Sequence, residues 1–447
     1  MKLIGLNREE VKSALEKGDV TIAVYGLGKM GLPLAAVFAD HGARVIGVDI
    51  NEKVVEMINR GENHIKEEPG LGELVERNVE AGRLKATTDG AWAAKQADVM
   101  VILVPTLTDE RGNMKLEPVY EVAEKISRGL EKGDIVITEA TMPPGTTESL
   151  IPILEESGLK LGEFGLAHAP ERTMTGTAIR DITGQYPKIV GASDEKTLEA
   201  VIGIYETINK KGVIPMSSIK AAEAVKVFEG VYRDVNIALA NELAMWCEEH
   251  DLDAIEIFNA ANTQPYCHLH MPGAGVGGHC IPVYPWFVIN LAEKTNPRLI
   301  RTAREINDSM PHHVVELTIK GLNETGRAVK DSNVLVLGLT FRGGVREFMK
   351  AAARPTIREL REWGANVYAY DPLCTPEDAK RFGAEWKEDF EGIDAIVITA
   401  DHKEFKELDL EKLSKEMRTR VIVDGRNVIN PENARKNGFV YLRVGRV

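Results

Sequence analysis

The stretch that most narrows the possible folds lies near the start of the chain. Val20-Thr21-Ile22-Ala23-Val24-Tyr25 reads as a buried strand and runs straight into Gly26-Leu27-Gly28-Lys29-Met30-Gly31. Leu32 to His41 then repeats apolar residues at helical spacing, and a second strand, Arg44-Val45-Ile46-Gly47-Val48, ends on Asp49. The glycines alone would say little. With a strand before them, a helix after them and an acidic strand end about twenty residues on, they specify a βαβ dinucleotide-binding unit. In such a unit the loop lets a pyrophosphate reach the helix N-terminus, and the acid takes the adenosine ribose hydroxyls. An acidic group there repels a 2′-phosphate, so NAD is expected rather than NADP. Gly26, Leu27, Gly28, Lys29, Met30, Gly31 and Asp49 are the expected cofactor contacts.

Further strands follow at Asp98-Val99-Met100-Val101-Ile102-Leu103-Val104 and Asp134-Ile135-Val136-Ile137-Thr138, with helical segments between them. This is the alternation of a parallel doubly wound sheet, whose ligands lie outside the carboxyl ends of the strands. Pro105, Thr106 and Thr141 after these strands are therefore expected to line a site, as are Glu171 and Arg172 in Ala167-His168-Ala169-Pro170-Glu171-Arg172. After about Gly321 the alternation resumes, and Gly-Ala-Asn-Val before Asp371 echoes Gly-Ala-Arg-Val before Asp49. The second copy carries Gly338-Leu339-Thr340-Phe341-Arg342-Gly343-Gly344 in place of the dinucleotide loop.

Between Ser217 and His250 there is no proline, and Val225, Phe228, Tyr232, Val235, Leu239, Leu243 and Trp246 recur at three- and four-residue steps. That pattern predicts a helix of roughly thirty residues, about 45 Å long. Such a helix links domains and offers a subunit interface, so a homodimer is expected. Gly230 lies one turn beyond Lys226 on it, where glycine costs about 1 kcal/mol relative to alanine and so signals a close approach. The expected fold class is α/β: two Rossmann-like doubly wound parallel-sheet domains joined by a long central helix and a helical middle domain. The expected boundaries are 1–212, 213–320 and 321–447, with Lys226 and Cys280 in the middle segment.

At 447 residues, 44% hydrophobic and 28% charged, the composition is that of an ordinary globular protein, and a net charge of -13 argues against nucleic acid as a main partner. The four cysteines, Cys247, Cys267, Cys280 and Cys374, are too scattered for a disulfide framework. Met1 to Val20 lacks the apolar core of a signal peptide, and no apolar run reaches the ~18 residues of a membrane helix. A cytoplasmic location is expected.

Pro272-Gly273-Ala274-Gly275-Val276-Gly277-Gly278-His279-Cys280-Ile281-Pro282 has glycines that allow close backbone approach, then a cysteine beside a histidine. A thiolate there is a candidate nucleophile. The same residues also suit a tight turn around an inert cysteine.

Taken together, the Gly26 loop, Glu67-Glu68-Pro69-Gly70-Leu71, Glu139-Ala140-Thr141-Met142-Pro143-Pro144-Gly145, Pro170-Glu171-Arg172, Glu223 to Lys226, Asn236 to Glu242 and the Cys280 loop resemble the nucleotide-sugar 6-dehydrogenases, the UDP-glucose and GDP-mannose dehydrogenase family, over nearly the whole chain. Pro-Glu-Arg and Val-Gly-Gly-His-Cys-Ile-Pro look most like the branch acting on UDP-N-acetylhexosamines, UDP-N-acetylmannosamine especially. UDP-N-acetylglucosamine and UDP-glucose are the alternative substrates. The resemblance implies a four-electron oxidation of the sugar C6 alcohol to a carboxylate, using two NAD and a Cys280 thiohemiacetal and thioester. Lys226 would stabilise the C6 oxyanion, and Thr141 and Glu171 would position water and assist proton transfer. Substrate contacts would come from Glu171, Arg172 and Lys226, and from Gly277, Gly278, His279, Phe341 and Arg342. No metal is implied.

The chain also departs from the family pattern. Many members have asparagine four residues after the lysine, where this chain has Gly230, and aspartate four after the cysteine, where it has Tyr284. An acidic pair and an arginine around Gly344 to Met349 are replaced, Arg342 keeping basic character, and an arginine before the glycine run is Tyr266. These departures bear on substrate identity and thioester hydrolysis, and they leave room for a non-catalytic nucleotide-sugar binder. A β-hydroxyacid dehydrogenase would need neither Cys280 nor a second sheet. A zinc site from Cys267, His268, His270, His279 and Cys280 matches no standard finger spacing.

Overall fold

The computed structural model describes residues 1–109 and 113–446. The chain forms two compact units, Met1–Glu229 and Gly230–Val447. The boundary falls inside one continuous helix, Ile219–Glu249, of 31 residues.

In the first unit the strands are β1 (Thr21–Tyr25), β2 (Arg44–Val48), β3 (Leu84–Thr87), β4 (Val99–Ile102), a small ribbon of β5 (Leu107–Thr108) and β6 (Met114–Lys115), then β7 (Ile135–Thr138), β8 (Gly165–His168), β9 (Lys188–Ala192) and β10 (Val213–Pro215). The main sheet runs β10-β9-β8-β7-β4-β1-β2-β3. Its strands are parallel except at β8 and β9. The winding moves outward from β1 in one direction through β2 and β3, then returns to β4 and moves the other way. The switch point between β1 and β4 is where such sheets hold a dinucleotide.

The second unit repeats this winding with β11 (Asn333–Leu337), β12 (Asn366–Tyr370), β13 (Glu385–Trp386), β14 (Ala395–Ile398), β15 (Val421–Asp424) and β16 (Val440–Arg443), in the order β13-β12-β11-β14-β15-β16 and all parallel. The α/β fold class expected from the alternation is what the chain adopts.

Alternation along each central strand explains why the strands read as continuous apolar runs. Ile22 and Val24 of β1 join one buried cluster, while Ala23 and Tyr25 join the cluster on the opposite face. Val334 and Val336 of β11 likewise face away from Leu335 and Leu337. Both faces of each sheet are covered, as parallel sheets require. Among the described residues no helix is long and apolar enough to cross a membrane.

A second long helix, Arg298–Glu324, packs in the second unit although Pro311 lies inside it. It meets the Gly230–Glu249 part of the first helix through a buried polar chain. Arg304, 1% exposed, pairs with Asp234 and Asp308. Asn307 donates to Asp234 at 2.8 Å, Asn241 donates to Asn307 at 2.9 Å, and the Gly273 N–H donates to Asn241 at 2.9 Å. The start of the glycine run is thus tied to a buried ion pair. Removing one partner of such a pair strands the other in a dry interior, so Arg304→Met should lower the stability of this unit by ~3–5 kcal/mol in denaturant unfolding. A loss of only about 0–1 kcal/mol, the scale of an exposed pair, would count against this account.

Candidate functional site

In the first unit the dinucleotide loop begins with Gly26 at φ +96°, a conformation that favours glycine, and a Cβ there would strike the Leu103 backbone. A Cβ on Gly31 would strike the Gly26 carbonyl, so the helix Gly31–Asp40 starts tight against the loop. Gly28 faces open space within 4 Å. The helix has no side-chain cap; its Leu32 N–H donates to the Gly28 carbonyl at 3.1 Å and Pro33 carries no N–H, so an anion here would meet the helix end at Gly31. Asp49 accepts the Leu27 N–H at 2.9 Å and the Asn51 N–H at 2.9 Å, which fixes its carboxylate at the strand end. This cradle fits a pyrophosphate followed by a ribose. Lys29 and Pro105 are exposed beside it. Thr106 donates its hydroxyl to the Thr141 carbonyl at 2.9 Å, so two of the expected lining residues meet.

The loops after β7 and β8 are laced together. The Glu171 N–H donates to the Glu139 carbonyl at 3.0 Å, and the Glu171 carboxylate accepts from the N–H and the hydroxyl of Thr173. Glu139 is buried between Lys188, at 2.6 Å, and the Tyr205 hydroxyl. His168 is buried against Thr138 at 2.8 Å, and burial, with the Lys188 cation second, pushes its pKa down to about 3. Arg172 pairs with Glu229, donates to the Pro187 carbonyl at 3.2 Å and lies over the Tyr186 ring. Its charge is therefore committed to its own unit. Glu68 accepts the N–H groups of Gly176, Ala178 and Ile179, each at 3.0 Å, which gives the Glu-Glu-Pro-Gly motif a role in shaping the loop beyond Arg172.

Glu223 takes a similar part from the long helix. Its buried carboxylate accepts the Gly145 N–H at 2.5 Å and the Thr147 N–H at 2.8 Å, pinning the Pro-Pro-Gly turn to the helix one turn before Lys226. Lys226 is half-buried and makes no ion pair or hydrogen bond among the described residues.

In the second unit the glycine run lies on the loops at the carboxyl ends of the second sheet. A Cβ on Gly277 would come 2.6 Å from the Phe341 Cβ and 2.8 Å from the Lys350 carbonyl, and one on Gly278 would touch the Phe341 ring at 3.1 Å. The Gly278 N–H donates to the Met349 carbonyl at 2.8 Å, and the Ala274 N–H to the Gly425 carbonyl at 2.8 Å. Gly277, Gly278 and Phe341 are therefore brought together, with the Arg342 guanidinium 5.7 Å from the Phe341 ring. The glycines serve close approach to the chain's own loops. His279 engages Glu347, and Cys280 is exposed. The Cys280 carbonyl accepts the N–H groups of Val283 and Tyr284, both at 3.0 Å, starting the helix Tyr284–Leu291.

Arg426, which the sequence reading passed over, and Asp371, read there only as the echo of Asp49, complete this face. Arg426 donates to the carbonyls of Thr399 at 2.9 Å and Gly275 at 3.2 Å, joining β14, β15 and the glycine run. Its place after the β15 strand end was the available signal. Asp371 repeats the Asp49 device, accepting the Leu339 N–H at 2.8 Å and the Thr340 N–H at 3.0 Å. Here the His402 ring at 3.1 Å and the Thr340 hydroxyl at 3.0 Å also occupy the carboxylate. Burial alone would raise its pKa, but His402 and the backbone donors hold it well below the carboxylate range. Asp371 is thus stoppered where Asp49 is open.

Comparison with known proteins identifies the family. Three profiles of the UDP-glucose/GDP-mannose dehydrogenase family match: its NAD binding domain over residues 20–209, its central domain over 220–309 and its UDP binding domain over 335–431. A UDP-N-acetyl-D-mannosamine dehydrogenase of Pyrococcus horikoshii is 36% identical, over 95% of this chain and 99% of the relative. A solved structure of the UDP-D-ManNAc dehydrogenase from Pyrococcus horikoshii superposes with TM-score 0.87 at 34% identity, covering 95% of this chain and 99% of that one. The NDP-N-acetyl-D-galactosaminuronic acid dehydrogenase of Methanosarcina mazei Go1 superposes with TM-score 0.85 at 32% identity, covering 98% of each chain. The chain belongs to the UDP-glucose/GDP-mannose dehydrogenase family and is an NAD-dependent oxidoreductase acting on nucleotide sugars.

Proposed function

We propose that this protein oxidises the C6 alcohol of a UDP-N-acetylhexosamine, UDP-N-acetyl-D-mannosamine first, to the uronate in two steps through Cys280. The observation that supports this most is an exposed Cys280 held at the start of a hydrogen-bonded turn, in a chain aligned end to end with relatives of that name. NAD, bound at Gly26 to Gly31 and Asp49 with Pro105, Thr106 and Thr141 alongside, supplies the hydride acceptor. Lys226 holds the charge that builds at the C6 oxygen as the alcohol loses a hydride and a proton. The Cys280 thiolate adds to the aldehyde carbon, and the oxygen takes a proton to give a thiohemiacetal. Loss of a second hydride and proton leaves a thioester. Water, positioned by Thr141 and Glu171, displaces the Cys280 sulfur and releases the acid. One alcohol, one water and two NAD thus give one carboxylate, two NADH and three protons.

Residues 1–212 serve as the NAD domain, 213–320 as the central and dimer-forming segment, and 321–447 as the UDP-sugar domain. Arg172, Gly277, Gly278, His279, Phe341 and Arg342 shape the substrate side. The cytoplasm, where NAD and nucleotide sugars are pooled, is the place of action. Tyr232, Leu239 and Trp246 leave 55%, 45% and 50% of their surface in solvent at seven-residue steps along the helix, which suits a second copy of the same helix.

The deciding assay counts NADH per sugar consumed for UDP-N-acetylmannosamine, UDP-N-acetylglucosamine, UDP-N-acetylgalactosamine and UDP-glucose. Two NADH with the first substrate, lost or stalled in Cys280→Ser, is expected. One NADH, or turnover indifferent to Cys280, would overturn the mechanism, and no turnover would favour a binder. Asp49→Ala should raise the KM for NAD about ten- to hundredfold and narrow the preference over NADP, because a charged hydrogen-bond acceptor is lost. An unchanged KM would remove Asp49 from the cofactor site. By light scattering the protein should be a dimer and Trp246→Glu a monomer; a monomeric parent would end the dimer proposal.

A further inference from the structure

The two departures at Gly230 and Tyr284 are one feature. Tyr284 is 6% exposed, and its ring occupies the space beside Gly230. A Cβ on Gly230 would lie 3.2 Å from both Cβ and Cγ of Tyr284 and would collide with the ring edge. The ring is backed by Phe287, with centroids 5.7 Å apart. Tyr284 is also bonded into the turn that carries the cysteine, since its N–H and that of Val283 both reach the Cys280 carbonyl at 3.0 Å. Pro282 and Pro285 each fix their own φ, and together with these two hydrogen bonds they stiffen the turn between Cys280 and Pro285. A displacement of the ring therefore reaches the sulfur.

We propose that Tyr284 is a positioning residue for Cys280, acting through the fit of its ring to Gly230. The glycine is kept in the helix because the ring needs its surface, and the ring in turn sets where the Cys280 turn sits. Its effect on turnover rests on the reading of Cys280 as nucleophile; the positional effect does not, because alkylation of the thiol reports it directly.

The test is a cycle of Gly230→Ala, Tyr284→Ala and the double variant. The iodoacetamide rate at the Cys280 peptide is read by mass spectrometry together with kcat. Gly230→Ala, ordinarily an exchange that strengthens a helix, should lower kcat by at least about tenfold and change the alkylation rate. In the Tyr284→Ala background the same exchange should change neither further. Equal effects of Gly230→Ala in both backgrounds, or no effect in the parent, would each overturn the proposal. If Gly230→Ala does not fold, a double variant that folds with the kcat of Tyr284→Ala supports it, and one that also fails to fold overturns it. An altered alkylation rate with kcat indifferent to Cys280→Ser would leave the positional claim standing and remove the nucleophile reading instead.

Discussion

Both sheets depend on one contact, a carboxylate at the end of the second strand that accepts an N–H from the loop leaving the first. Gly26 and Gly338 turn that loop with positive φ, which carries backbone donors into the space above the sheet. A buried donor without an acceptor costs about 1–3 kcal/mol, so the turn and the acid belong together. Asp49 and Asp371 supply the acid in the two units. Asp49 spends its remaining bonding on one N–H at the surface, whereas Asp371 is closed over by His402 and Thr340. One backbone device, duplicated, thus yields an open cradle in one copy and a sealed strand end in the other.

The glycine run follows a different logic. Its small residues let a strap of backbone lie on Phe341, Lys350 and Gly425, and Arg426 stitches the strap to two strand ends. One end is held by the chain from Arg304 through Asn307 and Asn241 to Gly273, and the other passes into the proline-stiffened turn after Cys280. A thiol carried on such a strap keeps its geometry without being buried.

Much of this was legible in the residues. The continuous apolar strands, the dinucleotide loop, the 31-residue helix and the duplicated winding all follow from local periodicity and strand-end chemistry. The edge strand Glu385–Trp386 is too short to leave a pattern, and Arg298–Glu324 is interrupted in sequence by Pro311, which reads as a stop. The clamp of Glu223 on the Pro-Pro-Gly turn and the closure of Asp371 by His402 join residues far apart in the chain, and no spacing encodes them. Gly230 and Tyr284 read as two separate losses of polar groups; in the fold each accommodates the other.

The stoppered Asp371 also bears on timing. With one open dinucleotide cradle among the described residues, the two oxidations proposed above must draw on successive cofactors at the same place. The spent cofactor has to depart and a fresh one arrive while the half-oxidised sugar waits. On the mechanism proposed above, covalent attachment to Cys280 would act as a tether across that changeover, with a lifetime that must outlast the exchange.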